Sequence, residues 1–102
     1  MKFVSVARCA DLPPGESRTY DVGGTSVAIF NAGGEVHACR NVCPHRGGPV
    51  GEGQFDGKIV TCPWHGWEFD VTTGINPRMP AAKLDKIPTR IEGENVQIEI
   101  AE

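Results

Sequence analysis

The sequence lacks any concentration of positive charge. Ten Lys and Arg residues are scattered among thirteen Asp and Glu, giving a net charge of −3. A phosphate backbone needs a basic face to hold it, so nucleic acid is excluded as the expected partner. Long apolar runs are missing too. The longest, such as Val27-Ala28-Ile29-Phe30, fall far below the roughly 18 residues of a spanning helix. The opening apolar stretch stops at Arg8, short of a secretory h-region of about 7–15 residues. No membrane association is therefore expected, and the cytoplasm is the expected location. No segment keeps a helical period over three turns. At 102 residues the chain has room for one hydrophobic core region and one domain, residues 1–102.

What is present is a loop-rich chain with a normal apolar share. Hydrophobic residues make up 39%, enough to offset chain entropy despite thirteen Gly and eight Pro. Short strand-like runs alternate with turn signals. Phe3, Val4 and Val6 form a small apolar group before the loop Asp11-Leu12-Pro13-Pro14-Gly15. Thr19–Val22 and Ser26–Phe30 flank Gly23-Gly24. A second hairpin is expected at Asn31-Ala32-Gly33-Gly34, leading into Glu35–Cys39. Further strands are expected at Lys58–Thr61, Trp67–Val71, Ile87–Ile91 and Asn95–Ile100. In the last of these Val96, Ile98 and Ile100 alternate with Gln97 and Glu99, and Trp67, Phe69 and Val71 alternate likewise with Glu68 and Asp70. Residues 81–86 are expected to make one helical turn. The fold class is all-β with antiparallel strands.

Four cysteines (Cys9, Cys39, Cys43, Cys62) could suggest two disulfides, but the intracellular reading and their uneven spacing argue against a secreted scaffold. Two of them head loops with the same grammar: Cys43-Pro44-His45-Arg46-Gly47-Gly48-Pro49 and Cys62-Pro63-Trp64-His65-Gly66. Each offers a thiol, a proline, a histidine within three residues and a glycine. Sixteen residues separate His45 from Cys62, enough for one strand excursion that brings the loops face to face. Thiolate and imidazole together select zinc, copper or iron–sulfur centres over magnesium or calcium. A Cys₂His₂ structural zinc site is one reading. Zinc modules, however, usually run Cys to Cys and then His to His, whereas here Cys and His alternate within each loop.

The string Cys43-x-His45 with Cys62-x-x-His65-Gly66 resembles the Rieske motif, in which two histidines replace two cysteines on one iron of a [2Fe–2S] cluster. The longer run from Cys62 to Asp70, with Thr73-Gly74 behind it, is similar to Rieske ferredoxins and to the Rieske domains of ring-hydroxylating oxygenases. The closing Ile91–Val96 resembles the last hairpin of those ferredoxins. The resemblance implies one [2Fe–2S] cluster per chain, with Cys43 and Cys62 on one iron and His45 and His65 on the other. It also implies a cluster-binding subdomain, about residues 42–67, inserted in a β-sandwich or barrel-like base. Pro77-Arg78-Met79-Pro80 resembles the proline-bearing third loop that covers the cluster in this family.

The charge arithmetic suits such a ligand split. Two thiolates and two neutral imidazoles leave the oxidised cluster uncharged, whereas four thiolates would leave a dianion. Adding an electron to the neutral centre costs less, which raises its potential into the Rieske range of about −150 to +300 mV. In high-potential members, by the same resemblance, each loop carries a further cysteine and the two form a disulfide, and a serine follows the second loop's glycine. Trp64 and a Gly48-type position stand where the cysteines would be, and Trp67 where the serine would be. A potential near the bottom of the range is expected. Each ligand imidazole keeps an outer N–H, so the potential should fall at alkaline pH.

Other residues have plainer expected roles. Cys9 and Cys39 lack a histidine at ligand spacing and are expected to be buried small hydrophobes. His37 is expected on a polar strand face. Trp67 is expected to pack with Phe69 and Trp64 to shield the second loop, rather than either serving as an electron conduit. Arg46 could steer an acidic partner.

The resemblance implies a one-electron carrier rather than an enzyme. It would take electrons from a flavoprotein reductase and deliver them to a terminal oxygenase of the aromatic-ring-hydroxylating kind. A monomer is expected. The alternatives are a Rieske-like small subunit of a nitrite reductase or other multi-component oxidoreductase, the Rieske domain of an oxygenase α-subunit, which the chain length disfavours, and the zinc module.

Overall fold

In a computed structural model of the chain, residues 2–44, 46–64 and 66–100 are described. Among the described residues twelve antiparallel strands form three sheets. The first sheet comprises β1 (Lys2–Arg8), β12 (Asn95–Ile100) and β11 (Thr89–Glu92), with β12 in the middle. The second comprises β2 (Ser17–Val22), β3 (Thr25–Ala32), β4 (Glu35–Arg40) and β10 (Lys86–Ile87), in the order β10-β4-β3-β2. The third is a meander of short strands: β5 (Gln54–Phe55), β6 (Ile59–Thr61), β7 (Glu68–Asp70), β8 (Ile75–Asn76) and β9 (Met79–Lys83).

The second sheet lies in the middle because both of its faces are apolar. Successive side chains of a strand point to opposite faces. Val27 and Ile29 therefore join Ala38, Val96 and Ile98 in one core, against the first sheet. Ala28 and Phe30 join Cys39, Val60 and Phe69 in a second core, against the third sheet. This two-sided burial explains why residues 27–30 read as an unbroken apolar run, while β12, wetter on one face, alternates. The second core also holds Cys43 and Cys62, so the layer that carries the candidate site is the layer that anchors it.

The expected hairpins form where the glycine pairs stand. Val22 pairs with Thr25 across Gly23-Gly24, and Ala32 with Glu35 across Gly33-Gly34. Several details differ from the sequence expectation, among them β5, β8 and β9, which no expected strand covers. The helical turn expected at 81–86 is instead the end of β9 followed by β10. The backbone of that stretch finds partners in β8, with Ile75 opposite Lys83, and Leu84 N–H donates to Gly74 O at 2.6 Å, so no local helical bond is needed. The expected strand Ile87–Ile91 is two strands, divided at Pro88. Proline cannot donate to a ladder, and its carbonyl instead accepts the Glu99 N–H at 3.0 Å. Short 3₁₀ turns at Cys9–Asp11 and Val50–Glu52 close loops in which no helix was expected. No helix among the described residues is long and apolar enough to cross a membrane.

Candidate metal centre

The two Cys-headed loops fold alike. Cys43 N–H donates to Gly48 O at 2.8 Å, and Cys62 N–H donates to Trp67 O at 2.7 Å. In both the acceptor lies five residues on. In both the residue before the acceptor, Gly47 or Gly66, reverses the chain at positive φ, +76° and +74°, where a Cβ would be strained. The shared Cys-Pro…Gly grammar thus encodes one turn used twice.

Each loop is tied to the rigid layers. The first follows β4, and the buried Asn41 secures it. Asn41 Oδ1 accepts the Gly51 N–H at 2.7 Å, and Nδ2 donates to Ser26 Oγ at 3.1 Å. The second loop joins β6 to β7, which pair through Thr61 and Glu68 at the loop's base. A third segment faces the second loop. The turn from β8 to β9 runs through Pro77 and Arg78, and the buried Asn76 shapes it by accepting the Arg78 and Met79 N–H groups at 2.9 and 3.2 Å. Between this turn and the loop lies a cavity of about 280 Å³ lined by Gly66, Trp67, Glu68, Asn76, Arg78 and Met79.

The structure brings Cys43 and Cys62 together. Both side chains are buried, each residue 1% exposed, and their thiols are within hydrogen-bonding reach of each other. Burial pushes the Cys62 thiol above its usual range. The Trp64 backbone N–H donates to its sulfur and opposes that shift, and the neighbouring Cys43 thiol adds to it. Two adjacent buried thiolates are therefore costly unless a cation lies between them. Such a pair of soft donors, out of contact with water, suits iron–sulfur ligation and not a hard ion. His45 and His65, the expected nitrogen donors, lie outside the described residues. Among the described residues no group of three His, Cys, Asp or Glu side chains forms a metal site.

The remaining singled-out residues fall elsewhere. Cys39 is buried on β4, where loss of hydration pushes its thiol up to about 12, only partly relieved by Lys86. Cys9 packs on the opposite core but is only partly buried, short of the full burial expected, and none of the four cysteines is bridged. His37 sits between Glu35 and Lys86, at 3.1 Å from each, at the far end of β4 from Cys43. Trp67 packs on the second core near Phe69, whereas Trp64 is half exposed, and Arg46 is exposed in the first loop. Sequence reasoning passed over Asn41 and Asn76. The Asn-Pro pair at 76–77 is a turn signal that marks the second, but nothing local marks the first.

Comparison with known proteins agrees with this geometry. A family model described as the Rieske [2Fe-2S] domain matches residues 2–89. The chain is 29% identical over 101 residues to the ferredoxin component of the naphthalene 1,2-dioxygenase system of Pseudomonas aeruginosa, covering 98% of this chain and 97% of that protein. It is 34% identical over 103 residues to the biphenyl dioxygenase ferredoxin subunit of Pseudomonas sp. strain KKS102, covering 99% and 94%. It is also 36% identical over 95 residues to mouse apoptosis-inducing factor 3, covering 92% of this chain but 16% of that longer protein. Among solved structures, the Sphingomonas yanoikuyae B1 ferredoxin superposes with a TM-score of 0.85 at 29% identity, covering 98% of this chain and 100% of that one. With paired thiols in twin loops and a family match across most of its length, the chain belongs to the Rieske [2Fe–2S] domain family, whose cluster is its cofactor.

Proposed function

We propose that this protein is a ferredoxin, a one-electron carrier that takes electrons from a flavoprotein reductase and delivers them to the terminal oxygenase of an aromatic-ring dioxygenase system. The observation that carries this reading is the pairing of Cys43 and Cys62 in two matched loops, in a chain that aligns over nearly its whole length with dioxygenase ferredoxin components. A related structure, 28% identical and with a TM-score of 0.84, is a complex of reduced oxygenase and oxidised ferredoxin in carbazole 1,9a-dioxygenase, which supports an oxygenase as acceptor. The near full-length relatives favour a carrier over a fixed nitrite reductase subunit.

Cys43 and Cys62 would hold one iron of the cluster and His45 and His65 the other, within a subdomain of about residues 42–67. When bound, the cluster supplies a reversible one-electron change. The chain's own residues exclude water from the sulfur side and present an apolar face to the partner. Three of the five large exposed apolar side chains among the described residues, Val42, Trp64 and Met79, stand on or beside the loops. A small apolar patch of that kind suits a transient encounter, which buries less than about 1,200 Å². In this reading it works as a monomer in the cytoplasm, where thiols stay reduced.

Absorption and EPR spectra of the purified protein, before and after dithionite, test the reading. A Rieske spectrum that reoxidises when a terminal oxygenase is added is expected. A colourless protein holding one zinc per chain would overturn it.

A further inference from the structure

The side chain of Trp64 meets the first loop at Gly48. A Cβ built at Gly48 would lie 2.9 Å from Trp64 Cγ and Cδ2 and 3.0 Å from Cys62 Sγ. The Gly48 backbone thus lies against both the indole and the Cys62 sulfur, and only glycine leaves space for the ring. Gly48 is also the residue whose carbonyl closes the first loop onto Cys43. The contact therefore joins the closing residue of one loop to the sulfur-bearing residue of the other. Trp64 is 50% exposed while Cys62 is 1% exposed, so the indole stands at the surface and the sulfur is shut off from water.

We infer that Trp64 is a positioning residue: its indole clasps the two loops across Gly48 and keeps water from the Cys62 sulfur, and so governs how long the cluster is retained. The inference rests on the proposed cluster site. Its physical basis is packing between loops that no strand pairing joins directly at this point. The hydrophobic shell of a metal site controls water access, and loss of such outer partners typically costs about 10–100-fold in metal affinity. The side chain is separable from the backbone here. Trp64→Ala removes the clasp but keeps the Trp64 N–H that donates to Cys62 Sγ.

A covalent substitute is available at the same two positions, where the family resemblance places a disulfide in high-potential members. Trp64 Cγ is one bond of about 1.5 Å from its Cβ, so Cβ atoms at positions 48 and 64 lie no more than about 4.4 Å apart, within disulfide reach. In the oxidised Gly48→Cys/Trp64→Cys variant, the two thiols lose two protons and two electrons to dissolved oxygen as the S–S bond forms.

The experiment follows bleaching of the cluster absorbance in air with a chelator present, with far-UV circular dichroism to confirm the fold. Trp64→Ala should bleach about tenfold faster than wild type, and Trp64→Phe within about twofold of it. The oxidised double-cysteine variant should regain wild-type retention and lose it again when a phosphine reduces the bond. The potential of Trp64→Ala should rise, because water reaching the sulfur stabilises the reduced, more negative centre. Wild-type bleaching in Trp64→Ala would overturn the clasp, as would failure of the disulfide to form by thiol titration, or equal retention in its two redox states. A wild-type protein without a Rieske spectrum would overturn the functional reading and the clasp with it; a normal wild type beside an unaffected Trp64→Ala would overturn the clasp alone.

Discussion

Replacing Gly53 by alanine should damage both the fold and the site, and the cause is steric rather than conformational. Gly53 has φ −79° and ψ 177°, a backbone geometry open to any residue. A Cβ there, however, would lie 1.7 Å from Thr61 O and 2.8 Å from Thr61 C. Carbon and carbonyl oxygen approach each other only to about 3.3 Å, so the two segments must separate by about 1.6 Å. Gly53 leads directly into β5, whose residues Gln54 and Phe55 pair with Thr61 and Val60 of β6. The separation breaks that short ladder or moves Thr61, the neighbour of Cys62. Losing two ladder hydrogen bonds costs about 2 kcal/mol and the overpacking a further 1–3 kcal/mol. A loss of about 3–5 kcal/mol lowers the melting temperature of a domain this size by about 12 °C or more. Thermal unfolding and iron content per chain, measured on the same sample, read both effects. Gly57→Ala is the control. A Cβ at Gly57 meets nothing within 4 Å, and the residue's φ of +103° adds only backbone strain, so stability should fall modestly while iron content holds. If Gly53→Ala unfolds at the wild-type midpoint with full iron, the close packing of β5 on the approach to Cys62 is refuted.

Other outcomes follow from the same structure. Cys43→Ser and Cys62→Ser, and His45→Ala and His65→Ala, should each abolish the cluster absorbance, whereas Cys9→Ala should leave it unchanged; a bleached Cys9→Ala protein would show that the spare cysteines were misjudged. The buried Cys39 thiol, raised to about 12, keeps its proton in the folded state at pH values where the unfolded chain has lost it. Stability should therefore be complete below about pH 9 and fall by about 1.4 kcal/mol per pH unit up to about pH 12, a slope that Cys39→Ala should remove in urea melts run across that range. The potential should lie in the lower part of about −150 to +300 mV, because Trp67 offers no hydroxyl to the cluster sulfurs; a titration midpoint well above zero would refute this.

Much of this molecule is written locally. The alternation in β12 and through residues 67–71, the glycine pairs that turn two hairpins, and the Cys-Pro…Gly grammar of the loops all depend on near neighbours in the chain, so the sequence by itself determined the all-β class and the candidate ligand types. Tertiary structure decided the rest. The third sheet is built of strands as short as two residues, too brief to show a period, and it exists because the second core covers its inner face. Whether residues 81–83 become strand or helix turns on a partner in β8, not on their own propensity. The contacts of Cys43 with Cys62, and of Gly48 with Cys62 and Trp64, join positions far apart in the chain, and no local rule reports such distances. They arise because the middle sheet is apolar on both faces, so the layer bearing the loops must pack where it does.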